Sequence, residues 1–238
     1  MPSSRARSIG LLVFSMAAVP ACGASVPPPH EPQAAAPTPH ARPPVLRMKS
    51  ELGDVDPDAV RKTFRGLDDK FMECAKGEID RVEVLAGSVK FFVRIAEDGS
   101  AKWAYLEESE VGDRTVEKCL VQTVLGAQYP KPDGGEAEAR YGMELPLQST
   151  RPPNEWGAEK VSQALAKHAE AIGRCRTGAS GGLQATMYVG PGGKVLAAGI
   201  AGAGKDGEGE ADCLVEVLEK MKGLPSPGSW PAKVHFAL

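Results

Sequence analysis

Residues 199–206, GIAGAGKD, carry the residue types of a phosphate-binding loop. Gly199 and Gly204 are five apart, Lys205 follows directly, and an apolar run leads in. Such a loop cradles phosphates with backbone N–H groups and needs Ser or Thr after the lysine to hold magnesium. Asp206 stands there instead. Gly202, Gly204 and Gly207 also spell G-x-G-x-x-G, but a dinucleotide fold needs a parallel sheet of βαβ units. Other reactive groupings are sparse. No G-x-S-x-G, H-E-x-x-H or C-x-x-C occurs, and the serine in residues 177–182, TGASGG, has no histidine and acid at recurring positions. Glu107 with Glu108, and Glu208 with Glu210, fall at loop edges, where carboxylates are solvated or favoured by a helix N-terminus. A paired catalytic carboxylate would use these residues, and nothing else in the sequence calls for one.

The cysteines carry the clearer chemistry. Arg5 and Arg7 precede an apolar run of eleven residues, 9–19, which closes in VPAC at Cys22. A basic start, a short apolar core and a small residue before the cleavage point make residues 1–21 a secretory signal. Eleven residues are too few for a bilayer span, which takes about twenty. VPAC resembles a bacterial lipobox, with Cys22 as the acylated residue, and Gly23 after it favours the outer membrane by resemblance to lipoprotein sorting. Residues 22–55 follow as anchor and linker, with eight prolines in 26–44. Polyproline II at about 3.1 Å per residue would hold a domain roughly 60 Å from its anchor. His30 and His40 lie in this spacer and read as solvated.

Without the signal, two arginines are lost and 26 basic residues face 31 acidic ones, a net charge of −5. No basic run appears, so nucleic acid and anionic lipid surfaces are poor partners.

The elements that must hold any site come twice. Val60, Phe64, Leu67, Phe71 and Cys74 fall at steps of 4, 3, 4 and 3, and Val161, Leu165, His168, Ile172 and Cys175 repeat those steps. Each set is one stripe of an amphipathic helix. Val89, Phe91, Val93 and Ile95 then alternate with polar neighbours, matched by Leu183, Ala185, Met187 and Val189, which is strand period. Asp98-Gly99 and Gly192-Gly193 suit hairpin turns. Second strands are expected at 102–109 and 194–201, and second helices around Cys119 and Cys213. Last strands are expected at 137–145 and 232–238. From Gly87 to Cys119 and from Gly181 to Cys213 the spacing is 32 residues, with no gap.

In this alignment residues 199–206 match 105–112, which carry Glu107, Glu108 and Glu110 and would repel a phosphate. The glycine stretch is thus a link between strand and helix, and no nucleotide is expected there. His168 stands on the helix stripe and His235 alternates outward on the last strand, so the two are not expected to meet. The predicted fold is α+β: two tandem α-β-β-α-β modules, 56–148 and 154–238, each a three-stranded antiparallel sheet with two helices on one face. Residues 148–157 are the joint.

Four cysteines take matching places in the two copies. In an exported chain Cys74 with Cys119 and Cys175 with Cys213 read as disulfides. A zinc site would need all four gathered from two domains, and free reactive thiols are the other alternative.

The pattern running from GSVKFFVRIAEDGSA through ESEVGDRTVEKCL to YPKP resembles the TonB C-terminal-like group, in particular the AgmX/PglI C-terminal domain. The resemblance covers residues 60–147 well and 161–238 more loosely. It implies a small α+β module on a proline-rich stalk that binds other envelope proteins. The expected function is therefore non-enzymatic: a lipid-anchored envelope protein facing the periplasm, whose twin modules bind another envelope protein, with strand addition as one route. The alternative is a cell-wall or small-ligand binding module between the two domains. No catalytic residue, metal, cofactor or nucleotide is assigned.

Overall fold

A computed structural model describes residues 52–176, 178 and 182–238 of the chain. The first helical stripe forms two helices, α1 (Pro57–Arg65) and α2 (Asp68–Lys76). Asp56 caps α1, its side chain accepting from Asp58 N, and Pro57 opens the helix. Where one continuous helix was expected, Gly66 ends α1 and the acidic pair Asp68 and Asp69 starts α2. A C-terminal glycine followed by carboxylates in the next first turn is a stop and a start. The stripe survives the break: Val60, Phe64, Leu67 and Phe71 are all buried.

Three strands follow this pair, with a helix between the second and third. β1 (Gly87–Ile95) and β2 (Ala101–Ser109) form a hairpin, α3 (Arg114–Leu125) crosses, and β3 (Ala137–Leu145) closes an antiparallel sheet in the order β2-β1-β3. Gly99 takes φ +87° at the turn, where Asp98 accepts from Ser100 N and Oγ. Phe64, Phe71, Phe91, Val93, Ile95 and Leu120 share one core between this sheet and the helices.

The remaining elements are β4 (Asn154–Trp156), α4 (Glu159–Lys167), α5 (Ala169–Cys175), β5 (Gln184–Val189), β6 (Val195–Ala201), α6 (Glu208–Glu219) and β7 (Ala232–Ala237). The stripe is again split, here at His168, and Leu165, His168 and Ile172 are only half-buried. The sheet order is β4-β7-β5-β6. It has four strands and is mixed, not three and antiparallel, because Asn154 to Trp156 of the expected joint pair in parallel with Ala232 to Val234. A second core gathers Val161, Ala185, Met187, Ile200, Leu214 and Phe236.

Among the described residues the chain is thus mixed α+β, with two sheets, and those from 52 on group as one compact unit. Among the described residues no helix is long and apolar enough to cross a membrane.

Candidate functional site

The structure joins Cys74 to Cys119 and Cys175 to Cys213. Each bond ties the end of the first helical pair (α2 or α5) to the long helix of its half (α3 or α6). Cys22, His30 and His40 lie outside the described residues, as does most of 177–182. His168 Nδ1 sits 2.9 Å from Ala164 O, while His235 Nδ1 sits 2.8 Å from Thr186 Oγ1, so the two histidines serve separate elements.

The glycine stretch divides between the end of β6 and the turn into α6. Gly202 and Gly204 take positive φ, and Gly202 N donates to Leu106 O. Lys205 pairs with Asp206, and Glu208 with Arg114. Glu210 is buried, 3.2 Å from Arg176 Nε. Glu107 and Glu108 both pair with Lys90. Each carboxylate considered for catalysis thus stands beside a cation, Glu107, Glu108 and Glu208 in partly exposed pairs and Glu210 with its own side chain buried.

Two regions were not anticipated. The first is the junction between the two sheets. Outward residues of the second sheet are small or polar: Ala197, Gly199 and Ala201 on β6, Thr186 and Tyr188 on β5. The first half packs on them, and Tyr188, Ala197 and Ala201 belong to its core. The Tyr188 hydroxyl donates to Ala86 O and accepts from Ala86 N, and Thr186 Oγ1 donates to Ser109 O. Arg81 donates to Leu196 O and pairs with Asp113, the N-cap of α3.

Glu117 of α3 lies at the centre with 0% exposure. Its carboxylate accepts from Ser109 Oγ at 2.7 Å and from Ile200 N at 3.0 Å. Burial pushes its carboxyl up to about 7, against partial relief from the Ser109 hydroxyl, the Arg114 charge and the Ile200 N–H. A Cβ on Gly199 would lie 2.2 Å from this carboxylate, so glycine there is the space that Glu117 fills. A helical signal existed: Glu117 precedes Leu120, Val121 and Val124 at inward spacing. A cavity at this junction, lined by Leu106, Arg114, Ile200 and Gly204, measures about 10 Å³, which leaves no room for a ligand there.

The second region is the free side of the first sheet. β3 is an edge strand bonded to β1 along its whole length, Ala137 to Leu145. On its other side, Leu52 bridges to Glu136 and Asp54 to Asp133, just before β3 begins. Among the described residues nothing pairs with the rest. Along β3, half-buried Ala139, Tyr141 and Met143 alternate with exposed Glu138, Arg140, Gly142 and Glu144. Tyr141 stacks on Phe64 at 4.3 Å. Between α1 and β3 runs a cleft of about 450 Å³, lined by Val55, Pro57, Val60, Arg61 and Tyr141. An edge strand presents a row of N–H and C=O groups to any extended chain that approaches. The cleft beside it, lined by charged residues such as Arg61 and Glu138 as well as by Val55 and Val60, offers places for alternate side chains of that chain.

The chain matches no family model, no curated protein and no solved structure.

Proposed function

We propose that the chain is a non-enzymatic, lipid-anchored envelope protein that captures an extended segment of another envelope protein on β3. Residues 1–21 are the signal, Cys22 carries the lipid, and 22–55 form the stalk. Modules 56–148 and 154–238 are tandem copies of one TonB C-terminal-like unit, held in the periplasm from the outer membrane. Support for the repeat comes from the matching order of helices and strands and from the two disulfides in corresponding places.

The observation that carries the binding reading is the nine-residue edge of β3, unpaired among the described residues and flanked by a cleft of mixed apolar and charged lining. The second sheet supplies an internal precedent. There the corresponding edge, β7, already holds an added strand, β4, whose Trp156 packs against the second core. Strand addition of this kind takes its affinity from main-chain hydrogen bonds and its specificity from alternate side-chain pockets.

The test places a photo-crosslinking side chain at Glu144 on β3 and, separately, at His235 on β7, in cells. The reading expects a discrete product from Glu144 alone, mapped to an extended segment of an envelope protein. Equal products from both positions, or none from Glu144, contradict it.

A further inference from the structure

The face of the first sheet turned away from its helices carries aromatic rings where a solvated sheet surface is ordinarily polar. The whole chain has only 3 Trp, 4 Tyr and 6 Phe. Three of these lie here: half-buried Trp103 and Tyr105 flank Phe92, which is itself buried with 4% exposure. Trp103 and Tyr105 lie 5.1 and 5.2 Å from Phe92, all three rings nearly parallel, and Arg140 sits 4.5 Å over the Phe92 ring. The positions matching Trp103, Tyr105 and Glu107 on the second sheet are Ala197, Gly199 and Ala201, small residues on a covered face. Where the repeat buries this face it uses small side chains, and where it leaves the face open it uses large flat ones.

Beside the patch is a cleft of about 640 Å³, lined by Ser88, Lys90, Glu108, Arg140, Gly142 and Glu144. That volume is within the usual range for small-ligand sites, about 300 to 1,000 Å³. Gly142 stands mid-strand on the cleft wall. It has no positive φ, and a Cβ there would meet nothing closer than Val89 O at 3.8 Å, an ordinary contact. Neither backbone conformation nor packing demands glycine, which weakens a strand by roughly 0.5–1 kcal/mol. Glycine so placed marks a close approach by something outside the sheet.

The charges decide what kind of ligand. Lys90 pairs with Glu107 and Glu108, Arg140 with Glu107, Arg94 with Glu136 and Glu138, and Lys102 with Glu136. Opposite charges cancel within the face, so it holds no field for a polyanion or a polycation. What remains is a set of fixed donors and acceptors beside flat apolar rings. Sugar hydroxyls both donate and accept, and the C–H faces of a sugar ring suit an aromatic surface. Along β1 from Lys90 to Arg94 the face runs roughly 13 Å at about 3.3 Å per residue, the span of a short oligosaccharide.

We propose that this face binds an uncharged oligosaccharide, one ring lying over Gly142 between Lys90, Glu108 and Arg140, and the next against Tyr105 and Trp103, which rest on the buried Phe92. Arg140, Gly142 and Glu144 belong to β3, so this site adjoins the β3 edge, but it uses the face of the sheet and none of the main-chain hydrogen bonds of strand addition. The test titrates the full mature chain with cellotriose, maltotriose and triacetylchitotriose by calorimetry. At least one should bind with millimolar affinity or better. Gly142→Leu, which fills the cleft, and Trp103→Ala should each weaken that binding by about tenfold or more, with the thermal unfolding of Gly142→Leu not lowered. Arg61→Ala, in the cleft between α1 and β3, should leave it unchanged. The proposal is overturned by absence of binding to all three sugars. Undiminished binding by Gly142→Leu, or tighter binding of a heparin oligosaccharide than of any neutral one, overturns it equally.

Discussion

The two sheets are built from similar strands and put to opposite uses. The second is covered on both faces, by α4, α5 and α6 on one side and by the first half on the other, and its β7 edge is partly capped by β4. Among the described residues the first is covered on one face only, and no strand pairs with the outer side of β3. The difference follows from side-chain size at matching positions. Ala197, Gly199 and Ala201 allow another layer to approach, whereas Trp103, Tyr105 and Glu107 hold it off. A sheet with small outward residues becomes a packing surface, and one with aromatic and paired charged residues stays a working surface.

The largest effect expected concerns the disulfides. They close segments of similar length, with sequence separations of 45 and 38, so each should contribute up to about 4 kcal/mol in the chain-entropy account. Phe64 and Phe71 hold α1 and α2 down with 0% exposure, whereas Leu165 and Ile172 on α4 and α5 are half-buried. Cys175→Ser with Cys213→Ser should therefore lower the denaturant midpoint more than Cys74→Ser with Cys119→Ser. The reverse order would mean that the closed half does not depend on its bond.

Next in size is the pH dependence of the junction. Folded Glu117 keeps its proton up to about pH 7, against an ordinary value of 4.5. Because the folded state binds the proton more tightly, the stability that Glu117 contributes is fully present below pH 4.5 and is lost as pH rises through the window to 7. The fall is about 3 kcal/mol at 1.36 kcal/mol per unit. Glu117→Gln can donate to Ser109 Oγ and accept from Ile200 N, so it should be as stable as the parent at low pH and more stable at pH 8. Parallel curves for the two proteins would remove Glu117 from the account.

Smaller still is Gly199→Ala, whose Cβ would collide with the bonded Glu117 carboxylate. Overpacking of this kind costs about 1–3 kcal/mol. Gly142→Val on the open sheet should do the opposite and raise stability by roughly 0.5–1 kcal/mol, since nothing there opposes a side chain. Thermal unfolding of both variants checks the pair, and a loss at Gly142 would show that the open face is packed after all.

Much of this was legible in the sequence, and the limits have physical causes. The stripe from Val60 to Cys74, the alternation from Val89 to Ile95 and the turn at Asp98-Gly99 report local geometry, which came out as expected except that each helical stripe is split into two helices. The break at Gly66 left the stripe intact and so did not disturb its period. β4 escaped notice because three residues beside two prolines, Pro152 and Pro153, carry no period at all. Tyr188 and Thr186 read as outward because they are outward, but a period of two cannot say whether solvent or another sheet waits there. Glu117 was missed for the same reason, its burial being set by Gly199 on a distant strand. The aromatic patch joins Phe92 to Trp103 and Tyr105 through the β1–β2 register, which no count of scattered tryptophans conveys.

Amide hydrogen exchange, resolved by residue, compares the two edges most directly. In the free protein, those N–H groups of β3 that point away from β1, between Glu138 and Glu144, should exchange fast, while those of β7 facing β4 between Ala232 and Val234 should be protected. Adding the segment trapped from Glu144, as a synthetic peptide, should slow the β3 set and leave the β7 set unchanged. Protection of the β3 edge in the free protein, or a peptide that slows exchange elsewhere and not at β3, would contradict the open-edge reading.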